Sequence, residues 1–173
     1  MPPAVISPLE PPPAPAASAP RIVTLADRPD LLPTIVQWLR DHHAPQAPLA
    51  PYAAQIASRV SLLGPEQCLI LLAGSVPAGT ASLTAQGLKS RSELTPWLTN
   101  VFVASSFRGR GYARRLVMAV EAAARRAAIP TLWLYTRSAE PLYGALGWRW
   151  AGADTHDGAP VTLMRRDLVD DDR

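Results

Sequence analysis

The stretch from Trp97 to Ala128 constrains this chain most, because the hydrophobic period changes inside it. Trp97 to Val103 reads as a strand that closes on the apolar Val101-Phe102-Val103. From Gly111 to Ala128, Ala113, Leu116, Val117, Val120, Ala124 and Ala127 recur at helical i, i+3, i+4 spacing. Arg114, Arg115, Glu121, Arg125 and Arg126 fall mostly on the opposite face, with Glu121 and Arg125 as an i,i+4 pair. Between strand and helix lies Arg108-Gly109-Arg110-Gly111-Tyr112-Ala113. A helix N-terminus has unpaired N–H groups and partial positive charge. Glycines there let an anion come close to the backbone. Arg108, Arg110, Arg114 and Arg115 add positive charge, so the bend suits a pyrophosphate. It reads equally as a glycine turn beside a solvated basic face, and spacing alone leaves both open. A dinucleotide fingerprint would need Gly or Ala where Arg114 stands, and a Walker loop needs a terminal Gly-Lys-Ser/Thr that is absent.

The rest of the chain supplies strands and helices around this unit. Ile22 to Leu25 reads as a short strand. Asp30 is placed to N-cap a helix running through Pro33 to about Asp41, with Leu32, Ile35, Val36 and Leu39 on one face. Ala44 to Pro51 reads as a proline-rich loop, and Tyr52 to about Leu62 as a second helix stopped by Gly64-Pro65. Cys68 to Ala73 and Gly79 to Gln86 read as a hairpin turning at Gly74-Ser75-Val76-Pro77. Thr131 to Thr136 is a further strand and Glu140 to Leu146 a short helix closed by Gly147. Trp148 to Ala151 and Val161 to Arg165 are closing strands. The order β-α-α-β-β-β-α-β-α-β-β predicts an α/β (α+β) domain with a mixed sheet.

Composition excludes several function classes. The chain has 173 residues, 48% hydrophobic and 18% charged, which suits one domain spanning about residues 21–169. Residues 1–20 form a Pro/Ala-rich arm expected to be disordered, and 170–173 an acidic tail. A formal charge of +3 is too small to argue for nucleic acid. The single cysteine, Cys68, sits in an apolar run and reads as a buried small hydrophobe. Metal-ligand spacing is absent, and no apolar run approaches the roughly 20 residues that span a bilayer. The N-terminus lacks a basic region followed by an apolar one, so a cytoplasmic location is the expectation.

Arg108, Gly111 and Ala113 form Arg-x-x-Gly-x-Ala, which resembles the acetyl-CoA signature of the GNAT superfamily of N-acetyltransferases. A second family landmark is matched by Pro141-Leu142-Tyr143-Gly144-Ala145-Leu146-Gly147-Trp148. The likeness covers residues 97–165 well and 21–96 by element order only. It implies a mostly antiparallel sheet of six to seven strands flanked by about four helices. Acetyl-CoA is the implied acetyl donor, with no metal. Its pyrophosphate would meet the amides of Gly109, Arg110, Gly111, Tyr112, Ala113 and Arg114, beside Arg108. Its pantetheine arm would pair with the exposed edge at Val101, Phe102 and Val103, where the fourth and fifth strands splay apart.

The resemblance also implies roles in catalysis. Tyr143 would protonate the departing CoA thiolate, since a phenol of pKa about 10 keeps its proton at neutral pH. Many relatives carry Asn near the start of the short helix; Ser138 stands in that stretch here. Glu93, just before the cofactor strand, is the first candidate for the base; His42 and His43 are alternatives that read more simply as solvated helix-end residues. Trp97 is placed near the acceptor pocket. The implied reaction is direct acetyl transfer to a primary amine in a ternary complex. The competing reading is a catalytically silent CoA-binding module, which would bind cofactor and be indifferent to loss of Tyr143. Family members are often homodimers, but nothing in the sequence fixes an interface. The acceptor is left open, because residues 30–96 build its site and carry the weakest likeness.

Overall fold

Residue 97 marks the point where the sheet divides. The computed structural model describes residues 19–58 and 66–169. Its elements are β1 (Arg21–Thr24), α1 (Leu32–His43), α2 (Leu49–Ala57), β2 (Gln67–Ala73), β3 (Val76–Thr84), β4 (Trp97–Val103), α3 (Tyr112–Arg126), β5 (Thr131–Thr136), α4 (Glu140–Ala145), β6 (Arg149–His156) and β7 (Ala159–Asp167). Seven strands form one sheet in the order β1-β2-β3-β4-β5-β7-β6. Every neighbouring pair is antiparallel except β4 and β5, which run parallel and share one register pair, Trp97 with Trp133. The expected mixed, mostly antiparallel sheet with about four helices is therefore present.

β2 shows why an unbroken apolar run sits mid-sheet. Its residues alternate between two covered faces. Cys68, Ile70 and Leu72 pack with Ile35, Val36 and Leu39 of α1 and Ile56 of α2. Leu69 and Leu71 join Leu116, Val117, Val120 and Ala124 of α3, with Leu132 and Leu134 of β5. A smaller cluster of Leu88, Trp97, Val161 and Leu163 fills the region behind β5.

Several boundaries differ from the sequence reading for local reasons. Asp30 does not cap α1: it lies in a 3-10 turn, Pro29–Leu31, and binds the Arg28 guanidinium through both carboxylate oxygens at 2.8 and 2.6 Å. α1 starts after Leu31 with no side-chain cap and continues to His43. α2 begins at Leu49, inside the expected loop, because Pro51 sits in the first turn, where its missing N–H costs nothing. The expected stop at Gly64-Pro65 lies outside the described residues, as do residues 1–18 and the acidic tail at 170–173. β6 runs on to His156, five residues past the predicted end, carrying the β6–β7 turn up beside α1.

Candidate active site

β4 and β5 part after Trp97, and a cavity of about 540 Å³ fills the opening. Leu98 to Val101 form one wall; Tyr135, Thr136 and the stretch Arg137 to Ala139 form the other. Tyr143 of α4 also lines it. His42 and His43 reach it from the end of α1, Gln86 and Gly87 from the segment after β3, and His156 and Asp157 from the β6–β7 turn.

A bulge shapes the β4 wall. Thr80 faces Phe102 and Ser82 faces Thr99, so Asn100 and Val101 together oppose the single Ala81. Asn100 takes a left-handed φ of 56°, which asparagine tolerates better than most residues. Its side-chain amide nitrogen is buried and finds no hydrogen-bond partner among the described residues. A polar group left so is costly unless a ligand or water satisfies it. From Leu98 onward no residue of β4 pairs with β5, which leaves that edge of backbone donors and acceptors open.

The glycine-rich bend follows β4 directly. Gly109 and Gly111 both adopt φ of 75°, and neither has an atom within 4 Å of the position a Cβ would take. Gly111 is the N-cap of α3, so no side chain caps that helix and its first-turn N–H groups are left for an outside acceptor. Arg108 Nε donates to the carbonyl of Val103 at 3.0 Å. Arg110 donates to the carbonyl of Ser106 at 3.3 Å, and its guanidinium lies over the Phe107 ring. These two arginines therefore brace the bend as well as charging it. Uncapped amides, two unobstructed glycines and an open strand edge fit the pyrophosphate and amide-bearing arm of a coenzyme A thioester.

Tyr143 is 8% exposed, packs edge-on against Trp148, and its hydroxyl makes no hydrogen bond to the described residues. Burial pushes its pKa up to about 12, so it carries its proton throughout the physiological range. His43 moves the other way. Its ring keeps solvent contact at the rim, yet packing around it, then the charges of His42, His156 and Arg137, lower its pKa to about 4. Tyr135 also lines the cavity: its hydroxyl is 3.3 Å from His156 Nε2, which is also 3.3 Å from Asp157 Oδ2.

Of the residues singled out in the sequence, Val101, Ser138, Tyr143 and the alternative base candidates His42 and His43 line the cavity. Phe102 turns to the α1 face, where it meets Trp38 and His42, and Val103 packs against the α3 cluster. Glu93 is not brought to the cavity: its side chain is 62% exposed and lies 4.0 Å from Arg91. Trp97 is fully buried behind Tyr135 rather than at the pocket wall, its indole N–H bonded to the Leu94 carbonyl. Asn100, Tyr135, Arg137 and His156 escaped sequence reasoning. Only Asn100, an asparagine inside a strand, gave a local signal.

A parallel pair that diverges beside an uncapped helix, with a buried phenol in the gap, leaves room for a long extended group donor. The model of the acetyltransferase (GNAT) family matches residues 32–148, and the chain belongs to that family of acetyl-CoA-dependent N-acetyltransferases. Solved structures share the fold. One is yncA of Salmonella typhimurium, assigned as an acetyltransferase, with its cofactor acetyl-CoA: TM-score 0.67, 20% identity, covering 90% of this chain and 97% of that one. Another is an N-acetyltransferase from Staphylococcus aureus Mu50: TM-score 0.72, 16% identity, 88% and 100% covered. A third is an aminoglycoside 6'-N-acetyltransferase complexed with coenzyme A: TM-score 0.70, 14% identity, 86% and 97% covered. No curated protein matches the sequence significantly.

Proposed function

We propose that this chain acetylates a primary amine by direct attack on acetyl-CoA within a ternary complex. The observation that carries the reading is Tyr143, a buried phenol held protonated in the gap between β4 and β5. Acetyl-CoA supplies the thioester. The amides of Gly109 to Arg114 hold its pyrophosphate, and the open edge of β4 at Val101 to Val103 aligns its pantetheine arm. Ser138, on the facing wall, lies within reach of the same arm. Tyr143 gives its proton to the departing sulfur, and its high pKa suits it to donate rather than to accept. The amine proton goes to the histidine group at the mouth, with His156 placed best: Tyr135 and Asp157 fix its ring, and Glu93 is too far outside the cavity to compete. Fixing amine and thioester in one cleft supplies the larger part of the rate gain.

Calorimetric titration of acetyl-CoA, paired with thiol release in the presence of a mixed amine panel, tests this. The parent is expected to bind saturably, and Gly111→Glu, which sets a carboxylate among the α3 amides, to lose that binding. Tyr143→Phe is expected to keep the binding and lose about 100-fold in kcat. Binding without turnover in the parent, or a Tyr143→Phe variant as fast as the parent, would instead establish a silent CoA-binding module.

A further inference from the structure

The cavity gathers more basic side chains than acidic ones along its lining. Arg137, His42, His43 and His156 all line it, and the Arg137 guanidinium is held across the rim by the His156 carbonyl at 3.4 Å. Against them stands one lining carboxylate, Asp157, whose side chain is 78% exposed and is engaged with His156. The other acids nearby are spent on partners of their own: Asp154 on Arg91 at 2.6 Å, and Asp41 on Gln37 at 2.7 Å. Metal binding does not account for the cluster, since no three His, Cys, Asp or Glu converge for an ion among the described residues. The pyrophosphate does not account for it either, because the α3 amides and the arginines of the glycine-rich bend serve that end.

We propose that the acceptor is a small amine bearing a carboxylate close to its nitrogen, of the free α-amino-acid kind, with Arg137 holding the carboxylate at the cavity mouth. This rests on the acetyl-transfer reading and names the substrate class of the same site. A planar guanidinium matches a carboxylate through two parallel hydrogen bonds. The rings of His42 and His43 add donors around it, while Asp157 stays on His156, the base. Polyamines and polycationic acceptors offer the Arg137 guanidinium no carboxylate to pair with. The low titration point of His43 comes first from the packing around its ring and then from the charges of His42, His156 and Arg137, and a bound anion relieves the second part.

Thiol release by the full chain would be measured with acetyl-CoA and three acceptor sets: the free amino acids, their carboxamides, and a linear polyamine. At least one free amino acid is expected to exceed its own carboxamide by about tenfold or more in kcat/KM, the range of a charge-assisted pair. In Arg137→Ala that ratio should fall toward one, through KM rather than kcat, with Arg137→Lys between. The second readout does not need turnover. With the protein saturated by coenzyme A, adding the preferred amino acid should raise the titration point of the His43 ring in proton NMR. Carboxamides or the polyamine turned over as well as the free acids would overturn the acceptor class and leave acetyl transfer standing. So would acetyl-CoA binding with no amino acid turned over and no shift of His43. Failure of acetyl-CoA to bind would bring down the acetyl-transfer reading itself, and this inference with it.

Discussion

His43 and Tyr143 show how the same cavity moves two residues in opposite directions. His43 is expected to titrate near 4 in the folded chain, where a free imidazole titrates near 6.5, as a proton NMR titration would record. Because the folded value lies below the unfolded one, the unfolded chain takes up this proton first. Its contribution to stability is therefore complete above about pH 6.5 and lost as the pH falls toward 4. A His43→Gln variant should flatten that part of the stability profile. Tyr143 shifts up through burial alone, so the acid role proposed for it needs no partner, only a wall that stays dry. Neither shift could be read from the sequence, where His43 is one of two histidines after a helix and Tyr143 one apolar position of another. The family landmark pointed to Tyr143; nothing local pointed to His156, which reaches the cavity only because β6 runs longer than its hydrophobic pattern suggests.

At the scale of the element, α3 is the most legible piece of the chain and the most consequential. Its apolar face, its arginine-rich end and its glycine entry were all visible as spacing. Two residues were misplaced: Ala127, expected on the apolar face, is exposed just past the helix end, and Glu121 went the other way. Glu121 pairs with Arg125 at 3.7 Å as its spacing predicted, yet it is buried at 5% exposure rather than on the solvent face. The reason is tertiary: Trp148 donates its indole N–H to Glu121 at 2.9 Å, and Arg166 of β7 lies 3.8 Å away. The entry of α3 can be tested by size of substituent. Gly111→Ala adds a methyl that meets no atom within 4 Å, so only its φ of 75° is penalised. The cost should be about 1 kcal/mol, a fall of about 2–4 °C in Tm by calorimetry. The same variant controls for folding when Gly111→Glu is used to disrupt the anion site.

Across the whole molecule, Glu121 ties the cofactor helix to the residues behind Tyr143. Its carboxylate holds Trp148, and Trp148 packs edge-on against the Tyr143 ring. Glu121→Ala leaves the Trp148 indole N–H without its acceptor and takes the ion pair from the buried Nε of Arg166, which has no hydrogen bond among the described residues. It should cost about 2–4 kcal/mol in urea unfolding. The sequence by itself determined the order of elements, the apolar run that makes β2 a doubly covered strand, and the strand–glycine–helix unit. Those rest on local periods and on backbone freedom at single glycines, which a chain carries wherever it is placed. Only the tertiary structure decided where β4 and β5 part, that Trp97 closes the sheet instead of lining the pocket, and that α1, β5 and the β6–β7 turn bring His43, Arg137 and His156 to one rim. His43 and His156, the extremes, are 113 positions apart, and no spacing rule reaches that far; the sheet order β4-β5-β7-β6, with α1 packed on the sheet, brings them together.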